Sequence, residues 1–130
     1  MFALSITEDA QQDLDAIWEA GESEEAARIE VFFEQADSDQ KILESFLEHK
    51  FDNGVYSVSR WLQFWNKGLD LWRARILDMP AVSRKYRVIY AYDLNYRRFY
   101  ILGVLNRDFD YEPNDPRTQR ILRAYENLIG

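Results

Sequence analysis

The apolar residues of this chain change their spacing part-way along it, and that change restricts the possible folds more than any other feature. Ala10, Leu14, Ile17 and Trp18 recur at helical spacing, as do Ala26, Ile29, Phe32, Phe33 and Ala36, and then Ile42, Leu43, Phe46 and Leu47. From Leu71 the period is two. Trp72, Ala74 and Ile76 alternate with Arg73 and Arg75, and Tyr86, Val88, Tyr90 and Tyr92 alternate with Arg87, Ile89 and Ala91. Arg98 to Leu105 is almost continuously apolar. The first pattern is that of amphipathic helices, the second that of strands with one buried face, and the unbroken run suits a sheet centre. Helices grouped ahead of strands imply an α+β layer rather than alternating βαβ units.

Local signals mark the boundaries. Phe2, Leu4 and Ile6 alternate with Ala3, Ser5 and Thr7 and predict a short first strand. Thr7 then caps a helix whose first turn carries Glu8 and Asp9 at the positive end of its dipole, and Gly21 stops it. Ser23 is expected to cap the next helix. Asp37, Ser38 and Asp39 either interrupt that helix or cap a further one, which leaves one long or two shorter helices open between Ser23 and Lys50. Asp93 to Tyr96 is short enough to join the last two strands as an antiparallel hairpin. Asp115 followed by Pro116 begins a final helix burying Ile121, Leu122, Tyr125 and Leu128. The pattern is weakest from Lys50 to Gly68, where Asp52, Asn53 and Gly54 suggest a turn. There Trp61, Phe64 and Trp65 suit a satellite core better than a base-stacking platform. The expected fold is one α+β domain over residues 1–130. An N-terminal strand and two or three helices pack on one face of a small, mainly antiparallel sheet, and a C-terminal helix closes the chain.

Charge is divided unevenly. Met1 to Gly54 hold fifteen acids against three bases, a net of −12, whereas Val55 to Gly130 hold thirteen bases against eight acids, a net of +5. An overall charge of −7 therefore conceals a basic half. Its cations lie on or beside the strands, among them Arg73, Arg75, Arg84, Lys85, Arg87, Arg98 and Arg107, and so form a candidate surface for a phosphate backbone. No cysteine is present, which excludes disulfides and thiolate metal sites and fits a reducing compartment. His49 is the only histidine, so imidazole metal clusters and histidine-dependent nucleophilic dyads are not expected, and no cofactor is. His49 itself reads as a surface residue at a helix end. With no basic leader and no apolar run of membrane-spanning length, a cytoplasmic location without membrane contact is expected.

Three segments carry a resemblance. GLDLWRARI at Gly68 to Ile76, YRVIYAYD at Tyr86 to Asp93 and FYILGVLNRDFDYEP at Phe99 to Pro113 resemble the sheet of the RelE/ParE superfamily of bacterial toxin–antitoxin toxins. The likeness covers essentially the whole chain and is strongest over Gly68 to Pro113, although the segment from Lys50 to Asn66 is longer than compact members need. It implies a small toxin held by a cognate antitoxin. RelE-like and HigB-like members cut messenger RNA, usually in the ribosomal A site, whereas ParE-like members poison DNA gyrase and cut nothing. Arg73 or Arg75 matches the strand arginine of the cleaving members, Arg107 the arginine ending the last strand, and Tyr111 the tyrosine beyond it.

The catalytic set implied is Arg107, Tyr111, Arg75 and Lys85, with Arg73, Arg84, Arg87 and Arg98 binding RNA. Arginine forks suit the charge that develops on a phosphorane. Tyr111 or Lys85 would move protons if the neighbouring arginines lower their pKa. Asp108 and Asp110 are expected to pair with Arg107 or cap a turn. Two alternatives stand beside the nuclease. One is a gyrase-poisoning toxin acting through the helix Arg117 to Ile129, and the other a protein-binding module of the same fold without cleavage activity. In each case an antitoxin segment is expected across apolar and basic sheet surface, on a sheet that helices cover on one side only.

Overall fold

The computed structural model describes residues 1–77 and 86–130. Arg84 and Lys85 lie outside the described residues. The chain order is β1 (Ala3–Ile6), α1 (Glu8–Glu19), α2 (Ser23–Asp37), α3 (Gln40–Ser45), β2 (Phe51–Asp52), β3 (Tyr56–Arg60), α4 (Leu62–Trp65), β4 (Leu71–Ile76), β5 (Arg87–Asp93), β6 (Arg98–Leu105) and α5 (Pro116–Leu128). The fold is α+β. One sheet runs in the order β1-β6-β5-β4-β3-β2. Only the β1–β6 pair is parallel, and the other neighbours are antiparallel.

Helix starts follow the local chemistry. Thr7 accepts from the Ala10 N–H, Asp39 from Lys41 and Asp115 from Arg117, so three helices begin on side-chain caps. The cap at Asp39 resolves the segment after Ser23 into two helices. Ser23 is the first residue of α2 and not its cap: Glu22 stands in the cap position, and its carboxylate accepts from the Tyr86 hydroxyl. Gly21 takes φ +83° after α1, a left-handed turn that a glycine makes without strain.

The segment between Lys50 and Gly68, patternless in the sequence, adds β2, β3 and α4 to the sheet edge. Asn53 starts the turn there, its side chain accepting from the N–H groups of Val55 and Tyr56. His49 closes β3 on its outer side by accepting the Arg60 N–H at Nδ1, 3.0 Å away.

The two sheet faces bury different cores. On the first, α1, α2 and α3 pack their apolar stripes against Tyr56, Val58, Trp72, Ala74, Val88, Tyr90, Tyr92, Phe99 and Ile101. Aromatic rings dominate this layer, with Phe46 and Tyr90 4.8 Å apart and Tyr92 and Phe99 4.7 Å apart. Its buried hydroxyls are satisfied: Tyr90 donates to the Phe46 carbonyl, and Ser45 and Tyr56 share a hydrogen bond. On the second face, Leu71, Ile89, Ala91, Leu102 and Leu105 meet Trp61, Phe64, Phe109, Ile121 and Tyr125.

That second core corrects the expectation of a sheet covered on one side only. α5 and the aromatic pair Trp61 and Phe64 occupy part of the face that was expected to be bare. A bulge changes the phase of β6 part-way along it. Ile89 pairs with Gly103 and Tyr90 with Ile101, so Leu102 has no partner on β5. The extra residue resets the alternation, and β6 sends Ile101 and Val104 to the first core and Leu102 and Leu105 to the second.

The two helical layers are tied together where β1 ends. Asp13 of α1 accepts the Val104 N–H, left open beyond the end of β1, and also takes both guanidinium nitrogens of Arg120 from α5 at 2.9 and 2.8 Å. Gly103 lies beneath this pair. A Cβ there would stand 2.9 Å from Arg120 Nη2.

Candidate functional site

Where α5 stops covering the second face, a cavity of about 230 Å³ opens, lined by Ser57, Ser59, Arg73, Ala74, Arg75, Arg87 and Tyr111. Strand register assembles it. Ser59 faces Arg73 and Ser57 faces Arg75 across the β3–β4 pair. Arg75 and Arg87 lie one residue beyond the Ala74–Val88 pair on adjacent strands. Because cross-strand partners project to the same side, these five polar positions fall on the face opposite Trp72 and Val58. Three arginines thus line the cavity with no carboxylate among the lining residues, which gives it a positive lining.

Tyr111 arrives from the loop after β6. Phe109 is the anchor: it is buried, with its ring 5.9 Å from Trp61 and 4.8 Å from Tyr111. Trp61 also meets the Tyr111 ring edge-to-face at 5.3 Å. Tyr111 holds φ +65°, a left-handed conformation that costs an ordinary residue free energy and persists only where packing enforces it. The result places the Arg73 guanidinium over its ring, 4.9 Å from the centre. Arg73 is further fixed through its Nε–H, which donates to Ser59 Oγ at 2.9 Å.

The expected lowering of the Tyr111 pKa is reversed. Burial raises it, and the opposing charges of Arg73, Arg87 and Arg75 do not offset that burial. The phenol therefore stays protonated at neutral pH.

The remaining candidates separate from this group. Arg107 is exposed in the turn that the Asn106 carbonyl closes with the Phe109 N–H, and it does not line the cavity. Of its neighbours, Asp108 pairs with Arg117 at 2.8 Å and Asp110 accepts from the Glu112 N–H in a turn. Arg98 lies near the β1 edge, donating to Ser5 Oγ. His49 is half-buried rather than a plain surface residue, and burial and the charges of Arg60, Lys50 and Arg73 lower its pKa. Trp61 and Phe64 are buried in the second core, whereas Trp65, expected to join them in one satellite core, packs against the first.

Sequence reasoning missed Ser57, Ser59, Phe109 and Trp61 as parts of the site. A signal existed for one of them: Phe109 and Tyr111 alternate with Asp108 and Asp110, the mark of a segment pressed on an apolar surface. Nothing in the sequence marked the serines, because the strand bearing them was not legible.

No helix among the described residues is long and apolar enough to cross a membrane, and no group of three or more potential metal-ligating side chains forms among them. The chain matches no protein-family model, no curated protein and no solved structure at a significant level.

Proposed function

We propose that the protein is an endoribonuclease toxin of RelE type, which cleaves messenger RNA at the Arg73–Arg75–Arg87–Tyr111 cavity and is held inactive by a cognate antitoxin. One observation carries the reading: three arginines and a protonated tyrosine converge on one small opening without an acid among them. RNA cleavage through its own 2′-hydroxyl requires alignment of that oxygen with the phosphorus, stabilisation of added charge on the phosphate oxygens, and a proton for the departing 5′-oxygen. Arg73, Arg75 and Arg87 serve the charge. Tyr111 gives its proton to the departing 5′-oxygen as the P–O5′ bond breaks, the 2′-hydroxyl loses its proton to water as its oxygen bonds to phosphorus, and a proton from water restores the phenol.

No lining residue is a strong base, so catalysis rests on charge and alignment, and a ribosome that holds the messenger in place supplies part of the alignment. Arg107, on the exposed turn ahead of Tyr111, contacts the RNA backbone outside the reacting centre. The acidic helices α1, α2 and α3 pack on the opposite face of the sheet from the cavity.

The test is induction of wild type, Arg73→Ala, Tyr111→Phe and Arg107→Ala at matched soluble levels, with growth and primer extension on messenger RNA as readouts. Wild type should arrest growth and leave cleaved ends. Tyr111→Phe should lose about 10²- to 10⁴-fold in cleavage rate, the range of general acid catalysis, and Arg107→Ala should lose less. Growth arrest without cleaved RNA in wild type would contradict the reading.

A further inference from the structure

The added segment around β3 and α4 lies against both reactive side chains. Ser59 Oγ accepts the Arg73 Nε–H at 2.9 Å, and the Trp61 ring meets the Tyr111 ring at 5.3 Å. Both contacts come from one stretch of three residues that leaves β3, and Trp61 is itself fixed by its backbone N–H, which donates to the Leu71 carbonyl at 2.9 Å. An arginine bound through Nε keeps its two terminal NH2 groups for a ligand, with the plane of the fork set by the acceptor. Left unbound, that side chain would have to give up rotamer freedom each time it gripped a phosphate.

We infer that Ser59 is a positioning residue for the anion site: it locks the Arg73 fork over Tyr111 so that both face one phosphodiester, with Trp61 buttressing the tyrosine from the other side. The inference deepens the cleavage reading and rests on it for the identity of the phosphodiester. The geometric lock itself is a property of this chain alone. Ser59 touches Arg73 and not the reacting atoms, so its loss acts through alignment, for which displacements of about an ångström cost up to 10²-fold. His49 supports the same strand from outside, accepting the N–H of Arg60, the residue between Ser59 and Trp61.

The experiment compares full-length wild type, Ser59→Ala and Ser59→Thr by the arginine Nε–H signals in ¹H–¹⁵N spectra, with Arg73→Lys to assign the Arg73 signal. A short single-stranded 2′-O-methyl RNA, which lacks the attacking hydroxyl and stays intact, is the binding probe, and cleavage of the unmodified RNA gives kcat and KM. In wild type the Arg73 signal should be sharp and should shift with the probe. Ser59→Ala should broaden it, weaken probe binding about 10-fold and lower kcat more than it raises KM, and Ser59→Thr should restore all three. An unchanged Arg73 signal with unchanged probe affinity in Ser59→Ala would overturn the inference. So would an equal defect in Ser59→Thr. Wild type that binds the probe but leaves unmodified RNA intact contradicts the cleavage reading alone, and the spectra and affinities of the serine variants then decide the lock.

Discussion

The two faces of the sheet are built to different degrees of completeness. The first is closed: three helices cover it, its aromatic rings interlock, and the hydroxyls of Tyr56 and Tyr90 are hydrogen-bonded inside the protein. The second is covered only in part, by α5, Trp61, Phe64 and Phe109, and where the cover ends the strands present arginine and serine instead of apolar residues. A fully covered face contributes stability but offers nothing to a ligand. A partly covered one gives up some burial and leaves an opening lined by charged and polar side chains.

The largest effect expected from breaking this contrast lies on the closed face. Trp72 is 1% exposed, stacks near Tyr90 and donates its indole N–H to Asp70. Trp72→Ala should cost about 3–5 kcal/mol, a large part of a small domain's stability, read from the midpoint of urea unfolding. A much smaller loss would show that the closed face is less tightly built than its burial implies.

A smaller effect is expected where the two helical layers are tied together. Asp13→Ala leaves Arg120 without its bidentate partner and the Val104 N–H without an acceptor, and should cost about 1.5 kcal/mol, at the low end for charge-assisted bonds because the guanidinium retains some access to water. Gly103→Ala should cost less than Asp13→Ala, since the atom that its Cβ meets is the movable end of the Arg120 side chain. Equilibrium unfolding of both variants checks the order.

Alkaline pH acts on both faces together. Burial raises the pKa of Tyr86, Tyr90 and Tyr111, and Glu22 raises that of Tyr86 further. Because the folded values exceed the ordinary value of about 10, the stability held by neutral phenols is complete below that pH. It is lost as pH rises through the folded values, since the unfolded chain ionises first. The unfolding midpoint should therefore fall above pH 10, and Tyr111→Phe should reduce the slope.

The weakest effect concerns His49, whose folded pKa is depressed by burial and by Arg60, Lys50 and Arg73. Its contribution is present above its ordinary value of about 6.5 and is lost as pH falls below that, when a proton at Nδ1 displaces the Arg60 N–H. His49→Ala should flatten the pH dependence of unfolding between pH 5 and 7.

Much of the architecture was legible in the sequence. The run Arg98 to Leu105 is β6 residue for residue, and Thr7 and Asp115 are caps where their positions predicted them. These features are local, written in periodicity and capping chemistry. What was hidden depends on contacts distant in sequence. β3 reads as Tyr-Ser-Val-Ser-Arg, too short and polar to announce itself, and becomes a strand because Ser59 and Ser57 pair with β4. The bulge at Leu102, beyond which Val104 turns to the first core and Leu105 to the second, is a register shift and has no composition signal. The same reason governs the site. Arg73, Arg75, Arg87 and Tyr111 could be selected by residue type and likeness, but the raised pKa of Tyr111 came from Phe109 and Trp61 burying it, which spacing alone does not reveal.

The most direct test of the division between a stabilising face and a working one is to measure unfolding and RNA cleavage side by side for Arg75→Ala. Arg75 is exposed and lines the cavity. The account predicts unfolding free energy within about 0.5 kcal/mol of wild type and cleavage lowered about 10²- to 10³-fold, as for loss of a preorganised donor to developing charge. Full cleavage by a normally folded Arg75→Ala protein, or a loss of activity matched by an equal loss of stability, would contradict it.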